Sequence, residues 1–237
     1  MKRASIASGK SGASTASSLK KEIPWDNIFT RLYDLLKHKP LPAVSEVARK
    51  NHDPFRVLVS TMISLRTKDE VTAAASARLL SHAPNPAALS RLRREEIASL
   101  IYPAGFYRTK AKNLKEAARL LLSRFDSRVP ANLENLLSLP GVGRKTANLV
   151  LNLGFNIEGI CVDTHVHRIA NRLGWIDTTN PEKSEYALME ILPRKYWIAI
   201  NELLVQFGQQ HCTPLSPRCS ACPVHSYCVR RKVTSRR

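Results

Sequence analysis

The chain has 237 residues, of which 43% are hydrophobic, and it carries a formal net charge of +18. This length and composition suffice for a substantial core, and the apolar runs are too short for a transmembrane helix, so we expect a soluble protein without a membrane partner. The excess of positive charge favours a polyanionic partner, most simply nucleic acid, although solubility alone would also explain it.

From residue 22 onward the apolar spacing is that of helices, and no segment alternates with the period of a strand, so the sequence predicts an all-α fold. Residues 55–65 are almost wholly apolar and fit a buried strand as well as a helix. The predicted helices, in chain order, are one beginning after Pro24, then 55–65, 71–80, 94–102, 110–125, 133–139, 145–154, 164–173, 181–192 and 197–207.

Polar and small residues mark several helix ends. Thr67 with Glu70 forms a candidate capping box, and Asp163 is a candidate N-cap for the helix at 164–173. Gly174 is expected to terminate that helix, and Gly208 the last one.

Both ends of the chain are basic. Residues 1–21 are rich in Ser, Ala and Lys and contain no acidic residue, so we predict a disordered basic tail, with an organelle transit peptide as the alternative. Residues 231–237 form a second predicted basic tail. We expect no secretory signal, since residues 1–21 lack an apolar segment.

A glycine-rich turn separates two of the predicted helices. Gly141, Val142 and Gly143 lie in the string Leu-Pro-Gly-Val-Gly-Arg-Lys-Thr-Ala, and Arg144 and Lys145 begin the next helix. Backbone amides at such a helix start suit a phosphate. The string resembles a helix-hairpin-helix, a sequence-independent clamp on the DNA backbone, although an ordinary helix connector is the alternative.

Lys145 and Asp163 are a candidate catalytic pair. Each residue alone has an ordinary role, as a phosphate-facing lysine and a helix cap. A lysine amine is a nucleophile only when neutral, so it needs a positioned base or a lowered pKa. A carboxylate offers a proton acceptor but also stabilises the ammonium, and the sequence leaves open which effect dominates.

Four of the five cysteines, Cys212, Cys219, Cys222 and Cys228, fall within one short stretch. Four thiolates this close can surround a tetrahedral zinc or an iron–sulfur cluster. Zinc sites usually use paired Cys-x-x-Cys units, and here only Cys219 and Cys222 form one, so the combined pattern favours a cubane cluster. Cys161 stands apart and is expected to be a small buried residue. One tight cluster of cysteines is typical of a metal site in a protein of a reducing compartment.

Together, residues 139–152, 162–172 and 212–228 resemble the endonuclease III family of DNA glycosylases, and the resemblance extends over about residues 22–230. It implies two helical domains with a DNA cleft between them. One is a six-helix barrel at 47–157 that contains the hairpin at about 133–155; the other joins 22–46 to 158–230 and holds a 4Fe–4S cluster.

The resemblance also implies roles for individual residues. Lys145 and Asp163 match the catalytic residues, the four clustered cysteines match the cluster ligands, and Gly141, Val142 and Gly143 match the turn that grips phosphate, with Arg144 beside it. The implied enzyme is a bifunctional glycosylase and abasic-site lyase that flips out an oxidised pyrimidine, expels it through a lysine Schiff base and cuts the strand by β-elimination.

Three further residues are candidate DNA contacts. Arg66 stands where the family usually has glutamine, which fills the hole left by the flipped base; a simple phosphate contact is the alternative. Phe106 stands where leucine is common in a wedge loop, and a buried core position is the alternative. His165 is expected to contact a phosphate or to support Asp163, unless it is purely structural.

The expected partner is therefore double-stranded DNA with a damaged pyrimidine or an abasic site, bound by a monomer. Because Arg66 departs from the family, an ultraviolet-photoproduct or mismatch glycosylase is one alternative, and a non-enzymatic DNA-binding module with structural zinc is another. The expected location is the bacterial cytoplasm, at the nucleoid, or the nucleus or an organelle of a eukaryote.

Overall fold

The computed structural model describes residues 22–237, and this part of the chain forms twelve α-helices and no strand. The predicted tail at 1–21 lies outside the described residues. The helices are α1 (Trp25–Leu36), α2 (Ala43–Asn51), α3 (Pro54–Ser64), α4 (Asp69–His82), α5 (Pro86–Arg91), α6 (Arg94–Ile101), α7 (Tyr107–Arg124), α8 (Leu133–Leu137), α9 (Arg144–Phe155), α10 (Thr164–Leu173), α11 (Pro181–Ile191) and α12 (Ala199–Gln210).

The helices α2 to α9 enclose one hydrophobic cluster. The apolar helix α3 lies at its centre and packs against α2, α4, α7 and α9. Its side chains Val57, Leu58 and Ile63 are at most 1% exposed. Burial on all sides explains why this segment is apolar around its whole circumference, which made helix and strand difficult to distinguish in the sequence.

A second hydrophobic cluster joins α1 to α10, α11 and α12. Phe29 of α1 stacks on Tyr196 with ring centroids 3.8 Å apart and lies parallel to Trp175, which follows α10. The N-terminal helix is thereby held against the C-terminal part of the chain. Within residues 22–237 no helix is both long and apolar enough to cross a bilayer.

A short extended segment connects the two clusters ahead of α10. Ile160 and Val162 pack in the second cluster, whereas Cys161 between them packs in the first and is fully buried. Burial raises the pKa of Cys161 to about 12, so its thiol is inert, as expected for a small buried residue. Asp163 follows directly and begins α10.

The cap predictions are confirmed in part. Asp163 caps α10, and Gly174 ends it in the left-handed conformation. The capping box at Thr67 is wrong, because α4 begins at Asp69 and the Thr67 hydroxyl accepts hydrogen bonds from elsewhere. Gly208 does not end the last helix but lies inside α12, where a side chain would overlap His165. The sequence also missed α2 and α5.

Candidate active site and cluster site

The hairpin consists of α8, a tight turn and α9. Gly141 has a φ of +79°, and a Cβ there would lie 2.5 Å from Nδ2 of Asn113, so the turn requires glycine. Val142 closes the turn by donating its amide to the carbonyl of Leu139. Gly143 is the N-cap residue of α9 in extended backbone, and apart from its chain neighbours nothing within residues 22–237 lies within 4 Å of the position of its Cβ. The outer face of the turn is therefore open to an anion.

Arg144, the first residue of α9, is engaged by a buried carboxylate. Its guanidinium donates to both oxygens of Glu185, at 3.1 and 2.6 Å, and lies over the ring of Tyr186. Hydrogen bonding to Glu185 raises the pKa of Arg144. Arg144 therefore joins the hairpin to α11, and its predicted contact with DNA stays a prediction.

Lys145 and Asp163 come together although eighteen positions separate them in the chain. Nζ of Lys145 lies 3.9 Å from Oδ2 of Asp163. The other carboxylate oxygen, Oδ1, accepts hydrogen bonds from the amides of His165 and Val166, at 2.8 and 2.9 Å. Within residues 22–237 Oδ2 accepts no such bond. The cap therefore fixes the carboxylate and leaves its second oxygen facing the lysine.

This pair lines an open cavity of about 200 Å³ between the two hydrophobic clusters. Arg66 and His165 also line it, as do the polar side chains Asn201 and Gln209 of α12. Asn201 donates to the carbonyl of Cys161 at 3.1 Å and so braces the connecting segment ahead of Asp163. The cavity thus combines a lysine, a fixed carboxylate and several polar groups.

Sequence reasoning missed Asn201 and Gln209. They lie eight positions apart with Val205 midway, so all three share one face of α12. Two amides on one face of a largely apolar helix were the signal that could have identified them.

His165 is held against α12. Its Nδ1 lies 3.2 Å from Nη2 of Arg168, which also donates to the carbonyl of Cys212 at 3.0 Å. Burial lowers the pKa of His165, the charge of Arg168 lowers it further, and Asp163 opposes both effects. Because Arg168 donates to Nδ1, the neutral imidazole carries its proton on Nε2.

Arg66 and Phe106 lie side by side on two loops. The guanidinium carbon of Arg66 is 5.5 Å from the centre of the Phe106 ring, and both side chains are exposed, Phe106 by 63%. The alternative that Phe106 is a core residue is therefore wrong. Arg66 reaches the cavity, whereas Phe106 and the hairpin turn are not among the residues that line it.

The four clustered cysteines line a second cavity, together with Leu173, Phe207 and Val224. Burial raises the pKa of Cys222 to about 11 and also raises that of Cys228, so their thiolates need compensating positive charge. Within the described part of the chain, no three Cys, His, Asp or Glu side chains are grouped tightly enough for one metal ion. Four thiols that line one cavity are the ligand set that an iron–sulfur cluster requires.

Helix α10 and the C-terminal segment hold these cysteine loops. Arg172 donates to Sγ of Cys212 at 3.4 Å and to the carbonyls of Thr213 and Pro214 at 2.7 Å. The amide of Arg237 donates to Pro217, so the segment 231–237 lies against the loop that carries Cys219. Neither arginine contact was apparent from the sequence.

Residues 59–194 match the family model described as HhH-GPD superfamily base excision DNA repair protein, and residues 212–228 match the iron–sulfur binding domain of endonuclease III. These matches define the class: a DNA glycosylase and abasic-site lyase of base excision repair.

Individual relatives show which family within this class the chain resembles. The chain is 48% identical over 179 residues to endonuclease III of Thermotoga maritima, covering 76% of this chain and 84% of that protein. It is also 48% identical over 183 residues to endonuclease III homolog 1, chloroplastic, of Arabidopsis thaliana, covering 73% of this chain but 48% of that protein, or about half its length.

The fold is similar to that of a trapped endonuclease III–DNA covalent intermediate, with a TM-score of 0.78 and 29% identity over 87% of this chain and 94% of that one. The chain belongs to the endonuclease III family.

Membership confirms several predictions. The all-α fold has two helical domains with a DNA cleft between them, the partner is DNA, and the cofactor is a 4Fe–4S cluster. The alternatives of a non-enzymatic module and of structural zinc are therefore wrong.

Proposed function

We propose that this enzyme removes oxidised pyrimidines from double-stranded DNA and cuts the strand at the resulting site through a Schiff base on Lys145. The observation that carries the proposal is the 3.9 Å separation of Nζ of Lys145 and Oδ2 of Asp163 inside an open cavity. A covalent DNA intermediate is known for the endonuclease III of similar fold, which supports a covalent mechanism here.

The reaction begins when the damaged nucleotide leaves the stack and enters the cavity, since C1′ of its sugar is out of reach inside the duplex. Nζ of Lys145 forms a bond to C1′ as the bond from C1′ to the base breaks, and the base leaves with the electron pair. Oδ2 of Asp163 takes the proton that the ammonium must lose and balances positive charge on the sugar.

Strand cleavage follows from the same intermediate. The sugar ring opens to an iminium between Lys145 and C1′, and this iminium acidifies the proton at C2′. Water takes that proton, the electron pair forms a double bond between C2′ and C3′, and the bond from C3′ to the 3′ phosphate breaks in a β-elimination. Water then hydrolyses the iminium and frees Lys145.

Four further parts of the molecule support DNA binding. Gly141 and Gly143 present backbone amides to a phosphate, Val142 closes the turn between them through its bond to Leu139, and Arg144 is held beside them. Arg66 fills the space of the flipped nucleotide, Phe106 wedges between neighbouring bases, and His165 presents Nε2–H to a phosphate. The exposure of Arg66 and Phe106 and the tautomer of His165 support these roles.

The 4Fe–4S cluster would be held by Cys212, Cys219, Cys222 and Cys228 and would order the cysteine loops beside α10. The two hydrophobic clusters support two domains, flanked by a basic segment at 231–237. The predicted boundary at residue 47 moves ahead of α2, because Val44 of that helix packs in the first cluster. We propose that the enzyme acts as a monomer wherever the cell keeps its DNA, at the nucleoid or in the nucleus or an organelle.

Borohydride trapping tests the proposed chemistry. The protein is incubated with duplexes that contain thymine glycol or an abasic site, and borohydride then reduces the iminium to a stable adduct. We expect trapping by the wild type, none by Lys145→Ala, and wild-type trapping by Lys183→Ala, which alters an exposed lysine. Trapping by Lys145→Ala equal to that of the wild type would contradict the role of Lys145.

A different lesion specificity is the second candidate, and Arg66 is the observation that favours it. The charged, planar guanidinium of arginine forms different hydrogen bonds with the opposing base than the side-chain amide of glutamine. A panel of duplexes carrying thymine glycol, ultraviolet photoproducts and mismatches decides between the candidates: preferential release of a photoproduct or a mismatched base would replace oxidised pyrimidines as the substrate.

A further inference from the structure

A buried lysine joins the two loops that carry Arg66 and Phe106. Lys110, in the first turns of α7, is 7% exposed. Its Nζ donates to the carbonyl of Ile63 at 2.6 Å and to Oγ1 of Thr67 at 2.7 Å. Both acceptors belong to the end of α3 and the loop that follows it.

The hydroxyl of Thr67 serves both loops. Besides the bond from Lys110, Oγ1 accepts the amide hydrogen of Gly105 at 3.1 Å, and it donates to the carbonyl of Leu65. These bonds use both lone pairs and the proton of the hydroxyl. One side chain of the first loop is therefore hydrogen-bonded to the backbone of the second loop and to Lys110 at once.

The two loops also touch through their backbones. A Cβ at Gly105 would overlap the carbonyl oxygen of Arg66, so this approach requires glycine. Arg66, which makes this contact, and Phe106, which follows Gly105, both have left-handed backbone, with φ of 53° and 56°. Their side chains emerge together, the guanidinium over the ring. The geometry of each loop thus depends on the other.

Burial of the charged Lys110 at this position costs free energy. Its neighbours along the buried face of α7 are Ala111, Leu114, Ala117, Ala118 and Leu121. None of the ion pairs within residues 22–237 includes Lys110, and burial lowers its pKa to about 8. An apolar side chain would satisfy the core at lower cost, so the hydrogen bonds to the first loop explain why a lysine is present.

We propose that Lys110 is a positioning residue that locks the Arg66 loop to the Phe106 loop, so that both side chains enter the DNA duplex as one unit. This inference rests on the proposed function, in which those side chains occupy the space of the flipped nucleotide and the neighbouring stack. Lys110 itself does not line the cavity of Lys145, which it approaches only through its partner Thr67.

The lock should matter for opening the duplex and not for the chemistry on the sugar. A nucleotide in a single strand is already unstacked, so its extrusion needs no inserted side chains. Loss of the lock should therefore slow base release from duplex DNA and spare base release from single-stranded DNA. A merely structural role of Lys110 would lower both rates together.

The experiment compares the full-length holoprotein and its Lys110→Met variant in single-turnover base release from duplex and from single-stranded DNA that contains thymine glycol. Because unstacking costs a few kcal/mol, we expect the duplex rate to fall about tenfold or more and the single-stranded rate to stay within about twofold. The control is Lys112→Met, an exposed lysine two positions further along α7, which should keep both rates.

A second pair of variants addresses the shared hydroxyl, should Lys110→Met fail to fold. Thr67→Val removes the hydroxyl and should reproduce the selective duplex defect, whereas Thr67→Ser retains it and should behave as the wild type. Equal losses on both substrates, or no loss on the duplex, would overturn the inference.

Fluorescence of 2-aminopurine placed opposite the lesion reports loop insertion without any bond breaking. We expect a smaller rise for Lys110→Met and Thr67→Val than for the wild type, and an equal rise would count against the lock. A wild-type protein that opens the duplex but forms no borohydride adduct would contradict the proposed chemistry alone.

Discussion

Asp163 directs one carboxylate oxygen to the amides of α10 and the other towards Lys145, 3.9 Å away. The residue that starts the helix is thus also the group that faces the candidate nucleophile. Two roles in one side chain can be separated, because asparagine caps a helix about as well as aspartate but carries no charge.

We predict that Asp163→Asn keeps the fold and loses most of the activity, whereas Asp163→Ala also loses stability. The alanine should lower the free energy of unfolding by about 0.5–2 kcal/mol through loss of the cap, and the asparagine by much less. Denaturant unfolding measures the first effect and single-turnover base release the second. Wild-type base release by Asp163→Asn would show that the charge is not required.

We predict losses of different size for the two glycines of the hairpin turn. Gly141→Ala should destabilise the protein by at least about 1 kcal/mol, because its backbone is left-handed and its Cβ would press on Asn113. Gly143→Ala should cost less, because the backbone is extended and the space around its Cβ is open, so that only the weaker preference for alanine at an N-cap acts. Denaturant unfolding provides the comparison, and an equal loss in both variants would contradict it.

The pair between Arg144 and Glu185 should contribute to stability. Arg144→Met leaves a carboxylate that is 4% exposed without its main partner and should cost about 2–3 kcal/mol. The control is Arg119→Met, which removes an exposed pair with Glu116 and should cost less than about 1 kcal/mol. Similar losses in both variants would show that the buried carboxylate finds another partner.

The titration of His165 should report its contact with Arg168. NMR titration is expected to place the pKa of His165 below its ordinary value of about 6.5. Arg168→Met removes a positive charge and a donor to Nδ1, so it should raise this pKa, but not fully, because burial is the larger cause. His167 is an internal control, since its pKa is lowered by burial and by Lys232 and should not respond.

The lowered pKa of His165 also fixes the sign of a pH effect. The imidazole of His165 binds a proton more tightly in the unfolded chain than in the folded one. The stability that comes from keeping His165 neutral is therefore complete above about pH 6.5 and is lost as the pH falls below it. Comparison of wild type with His165→Gln by denaturant unfolding at pH 7.5 and 5.5 should show the wild type losing more stability on acidification. The opposite ranking would contradict the burial of a neutral imidazole.

Local signals in the sequence predicted the helix ends that depend on one residue and its immediate neighbours. Asp163 and Gly174 bound α10 as expected, because a cap needs only amides of the same helix. Thr67 and Gly208 were assigned wrongly, because distant residues determine their roles: Gly105 and Lys110 for the first, His165 for the second. Close approaches of this kind leave no periodic signal.

In the candidate site, too, some residues were predictable from the sequence, whereas those with distant partners were not. The family pattern identified Lys145, Asp163 and the four cysteines, and the structure places the first two together and the cysteines around one cavity. Their supporting residues were not predicted, because Arg168, Arg172 and Glu185 each bind a group at least 37 positions away. No spacing rule relates such partners before the fold is known.

The alternation of Ile160, Cys161 and Val162 between the two hydrophobic clusters has a consequence for insertions and deletions. An extended segment reverses the side of every following side chain when one residue is added or removed. A deletion here would push Cys161 into the wrong core and turn Asp163 away from Lys145. The length of this segment therefore sets both the packing of the two hydrophobic clusters and the position of Asp163, and we expect a change of one residue to disturb both.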